Sequence, residues 1–342
     1  MIPSPEDILL VPKWEGKLKE YGRGVAFSSD GSLLAGFDAR GWISLFAEDT
    51  GEVLQTWEAH QGGITTFAFH PTKPLLATAG EDGLARIFTL QSLSTEPIAT
   101  LPGDDLWMED LCWSPRGDVL LTASGRVVKK WTPGGTLKGS TEKHKSTVTG
   151  IAFNRRGDYF CTSSYGGIQI FSTARMNSTR HLEWKGSLFK PLWSPDQEII
   201  AAGCQDNSVH FWRVKTGVDS EMSGYPRKPE LLAIDDRTTL LATSGGRSVL
   251  AWPFFEGGPE GKAPFEMPLH EDFVSALAFQ PRSTLLASGA RDGSLVLWDP
   301  LKNSFPSGLG VHPGAITGLS FHPRGRSFAS CDDQGNLSCW VL

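Results

Sequence analysis

Residues 285–298 read LLASGARDGSLVLW. Two apolar runs flank an Asp-Gly pair, and the second run ends in Trp298. Asp-Gly between apolar runs is a hairpin signal, because glycine adopts the positive φ that a tight turn needs. Just upstream lie His270, the apolar run 274–279 (VSALAF) and the turn-forming Gln280-Pro281-Arg282. The unit is a histidine, a strand, a turn, a second strand, an Asp-Gly turn and a third strand ending in tryptophan. One such unit is unremarkable in a β-protein; its recurrence at a fixed period decides the fold.

The unit recurs eight times. Its first run carries Phe27, Phe69, Trp113, Phe153, Trp193, Ile234, Phe279 and Phe321 in successive copies. Its closing aromatic falls at Phe46, Phe88, Trp131, Phe171, Trp212, Trp252, Trp298 and Trp340, with successive spacings of 42, 43, 40, 41, 40, 46 and 42 residues. The turn after the first strand repeats as SSDG (28–31), SPRG (114–117), NRRG (154–157), SPDQ (194–197) and HPRG (322–325). This pattern resembles the WD40 repeat, whose period is roughly 40–45 residues. The resemblance covers essentially the whole chain. It implies an all-β, single-domain β-propeller over residues 1–342, with eight blades of four antiparallel strands. Seven blades is the alternative, since the first copy lacks the His and Asp-Gly signature and the sixth lacks an aromatic in its first strand.

Composition agrees with a turn-rich β-protein: 38 Gly and 22 Pro among 342 residues, with 39% hydrophobic residues to fill a core. Stacked repeats share one continuous core, so the length does not imply several domains. The net charge of −6 argues against non-specific nucleic-acid binding, which needs a basic footprint. Five cysteines, none in a CxxC pair, read as buried free thiols of a reducing compartment. No stretch approaches the ~18 apolar residues of a membrane span, and the N-terminus lacks the basic start of a secretion signal. The expectation is a soluble cytoplasmic protein that engages neither membrane nor nucleic acid.

A fourth strand should follow each copy, as GEVLQTW (51–57), PIATL (97–101) and RHLEW (180–184) suggest. The last copy ends at Leu342 with no room for one. An unpaired sheet edge is a liability. Residues 8–14, ILLVPKW, precede the first copy, and Trp14-Glu15-Gly16 aligns with Trp57-Glu58-Ala59 and Trp184-Lys185-Gly186. Strand 8–14 is therefore expected to complete the blade made by residues 314–342, with Pro12 tolerated at an outer edge.

The WD40 resemblance also implies a buried tetrad of His, Ser/Thr, Asp and Trp, met in full by His270, Ser288, Asp292 and Trp298. Asp292 would hold His270, with the hydroxyl between His270 and the indole N–H, so that each buried polar group has a partner. The second copy keeps His60, Thr78 and Asp82, with Phe88 for the tryptophan. The fourth keeps His144 and Thr162. The fifth keeps Asp206 and Trp212. The eighth keeps His312, Ser330 and Trp340, with Gln334 in the Asp position. A Ser-His-Asp set also suggests a hydrolase, but there is no GxSxG elbow. His60, His144, His270 and His312 recur at the same repeat position, each in its own copy, which disfavours a shared metal site. No cofactor or catalytic residue is expected.

The functional expectation is a non-enzymatic scaffold that binds a protein or peptide on the top face. The alternative is a propeller enzyme with a small-molecule site in its central channel. The third copy's loop GDDLWMED (103–110) sets Asp104, Asp105, Glu109 and Asp110 around Trp107. An exposed aromatic beside carboxylates suits a Lys- or Arg-bearing partner. Trp107, Asp105, Glu109, Tyr21 and Phe273 are the expected partner-binding residues, with Trp107 placed at the start of a strand. A second candidate is the Gly/Pro-rich segment 253–268, a bottom-face loop expected to expose Phe254 and Phe255.

Overall fold

A computed structural model describes residues 8–92, 94–104, 107–255, 258–302 and 305–342. The chain is all-β, and its strands form eight separate antiparallel sheets, one for each copy of the repeat. In the seventh sheet the order is Val274–Phe279, Leu286–Ala290, Ser294–Trp298 and Pro306–Val311, a simple meander. Seven sheets have four strands. The fourth has three, because its second and third strands run on as one 14-residue strand, Tyr159–Ser172. Gly166 and Gly167 (φ 102° and 121°) carry it through the point where other copies turn. A Cβ on Gly167 would meet the Leu182 carbonyl oxygen at 2.1 Å, so no other residue fits there.

In five copies the four-residue turn after the first strand is built by one device. Its last amide donates to its first carbonyl: Gly31 to Ser28 (2.9 Å), Gly117 to Ser114 (2.8 Å), Gly157 to Asn154 (3.0 Å), Gln197 to Ser194 (2.8 Å) and Gly325 to His322 (2.7 Å). The final residue takes a positive φ, which explains the glycine. Gln197 adopts it without being glycine, and its Oε1 accepts from Asn154 Nδ2 at 2.9 Å.

The strands gather into two compact units: Ala39–Ile43 with Gln55–Ser223, and Met1–Asp38, Ser44–Leu54 and Gly224–Leu342. In the first, apolar clusters fill the space between consecutive sheets; Ile87 and Leu120, for example, are fully buried. Polar links repeat from sheet to sheet. Thr65 Oγ1 donates to the Met108 carbonyl (2.6 Å) and Thr149 Oγ1 to the Leu188 carbonyl (2.7 Å). At the turn, His70 Nε2 lies 2.8 Å from the Gly117 carbonyl, while its Nδ1 accepts from the Thr72 and Lys73 amides. The second unit repeats both links with Ser275 to Ile316 (2.6 Å) and Gln280 Nε2 to Gly325 (2.7 Å).

The second unit also holds the N-terminal strand. Pro12–Lys17 pairs antiparallel with Asn336–Val341 and becomes the outer strand of the eighth sheet. The strand begins four residues later than the expected 8–14. Residues 8–10 are engaged elsewhere: Leu9 bridges Leu309, and the Leu10 amide donates to the Leu309 carbonyl (2.7 Å) on the outer strand of the seventh sheet. A clasp fixes the strand to the first sheet. Trp14 stacks on Phe46 (5.8 Å between centroids), and its indole donates to the Glu48 carbonyl at 2.7 Å. The Glu48 carboxylate, 1% exposed, takes Arg326 (2.7 Å), Lys13 (3.3 Å) and the Ser327 hydroxyl (3.0 Å).

Asp49 shares Lys13 and Arg326 with Glu48 but is exposed. Glu48→Ala should lower stability by about 2 kcal/mol, since it strips charged hydrogen bonds from a dry site. Asp49→Ala should change it by less than ~0.5 kcal/mol. Urea unfolding of the two variants checks the difference. Equal midpoints would mean that the clasp is a solvated ion pair.

Candidate functional site

The buried polar centre of the seventh sheet is the Ser288 hydroxyl. It receives the Trp298 indole N–H at 2.8 Å and lies 2.7 Å from His270 Nε2. His270 Nδ1 lies 2.5 Å from Ser294 Oγ, and Ser294 donates to Asp292 at 2.5 Å. Asp292 was expected to hold His270 directly; it acts through Ser294. The reason is local: the other Asp292 oxygen is taken by the Glu271 and Asp272 amides (2.6 and 3.0 Å), which turns the carboxylate toward the loop. An Nδ1–H tautomer satisfies every bond in the series, with donation running from Trp298 through Ser288, His270 and Ser294 to Asp292.

Other sheets build the same centre from different parts. His60 bonds Asp82 directly (2.8 Å) and Thr78 (2.7 Å), with Arg86 on the second Asp82 oxygen (2.7 Å). His144 reaches Thr162 (3.0 Å). His312 reaches Ser330 (2.7 Å), which also receives Trp340 (2.8 Å). Its carboxylate partner is Asp332 (3.4 Å), which corrects the assignment of Gln334. Asp332 is fully buried and accepts the Gln334 and Asn336 amides, whereas Gln334 spends its side chain on the Pro313 carbonyl. The sixth sheet uses a tyrosine: Trp252 donates to Tyr225 Oη (2.8 Å), which lies 2.9 Å from Thr243 Oγ1. Tyr225 sits 27 residues before Trp252, close to the 28 between His270 and Trp298, so spacing alone could have found it.

The fifth sheet takes its imidazole from a strand instead of a loop. His210 Nε2 lies 2.8 Å from Ser208 Oγ, and Ser208 donates to Asp206. Donor atoms of Cys204, Asp206 and His210 lie within 4.8 Å of one another, an arrangement that the repeat spacing of the other histidines does not reveal. The Ser208 hydroxyl bridges the imidazole and the carboxylate, while the Trp212 indole, expected to share the centre with Asp206, is buried without a hydrogen-bond partner.

Burial pushes the pKa of His60, His144, His210 and His312 down, and that of His270 down to about 4. The sign follows from proton binding. Below the ordinary value of 6.5 the unfolded chain takes up protons that the folded imidazoles resist. Their contribution is complete above about pH 6.5 and is lost as pH falls toward about 4. Melting temperature should therefore fall between pH 7 and 4.5. His270→Gln should start lower but decline less steeply. A parallel decline would show that His270 titrates normally in the fold.

The Trp107 loop is held from behind. Ser124 Oγ donates to the Trp107 carbonyl (2.9 Å), Met108 is fully buried, and the Met108 and Glu109 amides bond to Gly80 (3.1 Å) and Ala123 (2.9 Å). Trp107 itself is 57% exposed. It lies in the loop, three residues before the strand Asp110–Trp113, and not at the start of that strand. Of the surrounding acids, Asp104 pairs with Lys129 (2.8 Å) and Glu109 is half-buried. Asp110 is buried: it takes Lys190 (2.8 Å) and the Ile151 amide (3.0 Å), so it serves packing and not the surface. Asp105 lies outside the described residues. Tyr21 and Phe273 belong to the other unit. Tyr21 is 48% exposed, while Phe273 is half-buried beneath Arg227 at 4.0 Å.

The segment 253–268 differs from its expectation. Phe254 is buried, while Phe255 is exposed, with Lys262 over its ring at 4.7 Å. The outer strand Phe265–Met267 falls inside the segment and shortens the loop.

The sequence profile of the family described as "WD domain, G-beta repeat" matches residues 51–89, 95–132, 135–172, 187–213, 261–299 and 305–340, more than half of the chain. The first and sixth copies, the weakest in signature, fall largely outside these matches. Similar proteins include the transcriptional corepressor LEUNIG_HOMOLOG of Arabidopsis thaliana, 25% identical over 80% of this chain and 34% of its own. The human serine-threonine kinase receptor-associated protein is 21% identical over 77% of this chain and 61% of its own. The chain spans under two thirds of the length of these relatives. The crystal structure of the computationally designed Ika8 protein matches with TM-score 0.82 at 19% identity, covering 98% of this chain and 100% of that one. With eight sheets on eight copies, the fold is the all-β, eight-bladed propeller.

Proposed function

We propose, from the premise that this chain belongs to the WD40 family, that it is a non-enzymatic scaffold which binds a protein or peptide partner through the loops leading into the first strands of its sheets. Relatives described as a corepressor and as a receptor-associated protein support the general reading. The observation that carries the finer one is Trp107. A large aromatic side chain is held in solvent by a backbone bonded on both sides, with its chain neighbour Met108 fully buried. A ring presented this way loses little entropy on binding, and buried Trp anchors dominate many interfaces. Glu109, and Asp105 by sequence, give the patch an acidic edge that favours a basic partner. In the other unit, Tyr21 and Phe273 are the contact residues of this reading. The histidine–hydroxyl pairs support a structural role, since Ser288 is fully buried and bonded on both sides. Five free cysteines, four of them buried, favour a reducing compartment and thus the cytoplasm.

The test uses the full chain and its Trp107→Ala variant as baits in native lysate, with quantitative mass spectrometry. A direct partner should be depleted on the variant and, once purified, should bind it more weakly by ~2 kcal/mol or more. The melting temperature should not move, because the ring is not part of a core. Undiminished capture would eliminate Trp107 as the anchor.

A further inference from the structure

The fifth sheet keeps the register of the seventh but not its residue types. Ile200 pairs with Trp212 as Leu286 pairs with Trp298, and Ala202 pairs with His210 as Ser288 pairs with Val296. Ala202 therefore stands where the seventh sheet has its central hydroxyl, and His210 stands in the place of Val296. Eighteen residues before Ala202, the spacing that separates His270 from Ser288, the chain carries Trp184 instead of a histidine. Cys204 takes the place of Ala290, while Asp206 and Trp212 keep their types.

These exchanges strand polar atoms. Among the described residues, the Trp212 and Trp184 indole nitrogens and His210 Nδ1 are buried without a hydrogen-bond partner. His210 is fully buried, with the Trp184 ring 3.6 Å from its own between centroids. Ser208 donates to Asp206, so His210 Nε2 carries the hydrogen that meets the Ser208 hydroxyl (2.8 Å), and the Nδ1 lone pair has no donor. Buried atoms left unsatisfied mark places where water or an ion completes the bonding. The residue types gathered here are a thiol, an imidazole and a carboxylate, with donor atoms within 4.8 Å of one another. His210 Nε2 lies 3.9 Å from Asp206 Oδ2. Nitrogen and oxygen ligands of one tetrahedral zinc ion stand roughly 3.3–3.6 Å apart, given bonds of about 2.0–2.2 Å. The remaining movement is small, and the half-exposed Asp206 side chain is able to make it. Cys204 is held in place by its amide, which donates to the Ser208 carbonyl at 2.8 Å. Gly186 leaves room beside the sulfur, since a Cβ there would lie 2.9 Å from Cys204 Sγ and 2.8 Å from Trp184 Nε1.

We propose that Cys204, His210 and Asp206 bind a divalent transition-metal ion of the zinc class, with solvent as the fourth ligand. Cys204 binds as the thiolate and its proton passes to solvent. His210 binds as the neutral imidazole and Asp206 as the carboxylate. One sulfur beside nitrogen and oxygen suits a borderline-soft ion, whereas magnesium and calcium take oxygen ligands. His210 lies on a strand, so the site is separate from the loop histidines of the other sheets. It is also independent of Trp107, and either can fail without the other.

The test uses the full chain without an affinity tag, stripped of metal by a chelator under reducing conditions and titrated with cobalt(II) and then zinc. The expected result is one cobalt per chain with a sulfur-to-cobalt charge-transfer band in the near ultraviolet, abolished when zinc displaces it. Saturating zinc should raise the melting temperature, because the ion binds the folded chain. Cys204→Ala and His210→Val install the residue types of the seventh sheet, and each should weaken zinc binding at least tenfold, the first with loss of the sulfur band. Asp206→Asn should weaken binding about tenfold, and its exposed position keeps the test open if the two buried variants melt early. Cys161→Ala, in the fourth sheet, should leave band and affinity unchanged. The proposal is overturned if cobalt gives no sulfur band, or if the band persists in Cys204→Ala. It is equally overturned if Asp206→Asn and His210→Val, with normal metal-free melting temperatures, bind zinc as the parent does. Displacement of zinc by excess magnesium would reveal an all-oxygen surface site and would also sink it.

Discussion

A hydroxyl or indole N–H is costly to leave unpaired in the middle of a sheet packed on both faces, and this cost shapes most of the repeats, although the buried Trp212 indole of the fifth sheet has no partner. Leaving such a group unsatisfied costs about 1–3 kcal/mol. In the seventh and eighth sheets the hydroxyls of Ser288 and Ser330 each take a tryptophan N–H and lie against an imidazole nitrogen. The identity of the surrounding residues can then drift as long as the hydroxyl's partners persist. Tyr225 replaces the histidine in the sixth sheet. The third sheet keeps only the hydroxyl and the indole, Thr122 and Trp131, at 2.9 Å.

The same logic joins one sheet to the next. Hydroxyls at the second position of the first strand, Thr65, Thr149 and Ser275, donate to a carbonyl of the following sheet. Side chains at the first turn, His70 and Gln280, reach the turn glycine carbonyl of the following sheet. A Cβ on Gly117 would meet the His70 ring at 2.2 Å, so that glycine is required by its neighbour as well as by its φ of 72°. A short motif such as SPRG thus records both a turn and a contact between repeats.

Loops anchored this firmly hold exposed residues still. Trp107 has its backbone bonded to a neighbouring strand and loop while its side chain is left toward solvent. A scaffold whose polar centres are fully used for packing can vary such residues without loss of fold, which is why a binding function resides in the loops.

The sequence by itself determined the repeat count, the all-β class and most strand positions, because period, Asp-Gly turns and closing aromatics are local signals. It also located the histidine–hydroxyl–tryptophan partners, which recur at fixed spacing. Tertiary structure decided what depends on competition between neighbours. Asp292 is turned away from His270 by two amides of its own loop, and Asp332 takes the place that spacing assigned to Gln334. Asp110 looked like a surface acid until Lys190, 80 residues away, was seen to neutralise it. Pro12–Lys17 could be foreseen as the closing strand, but its register was set by residues 8–10 pairing with a different sheet. Whether a charge or a polar group is satisfied has no local signature, since it depends on every chain segment that reaches it.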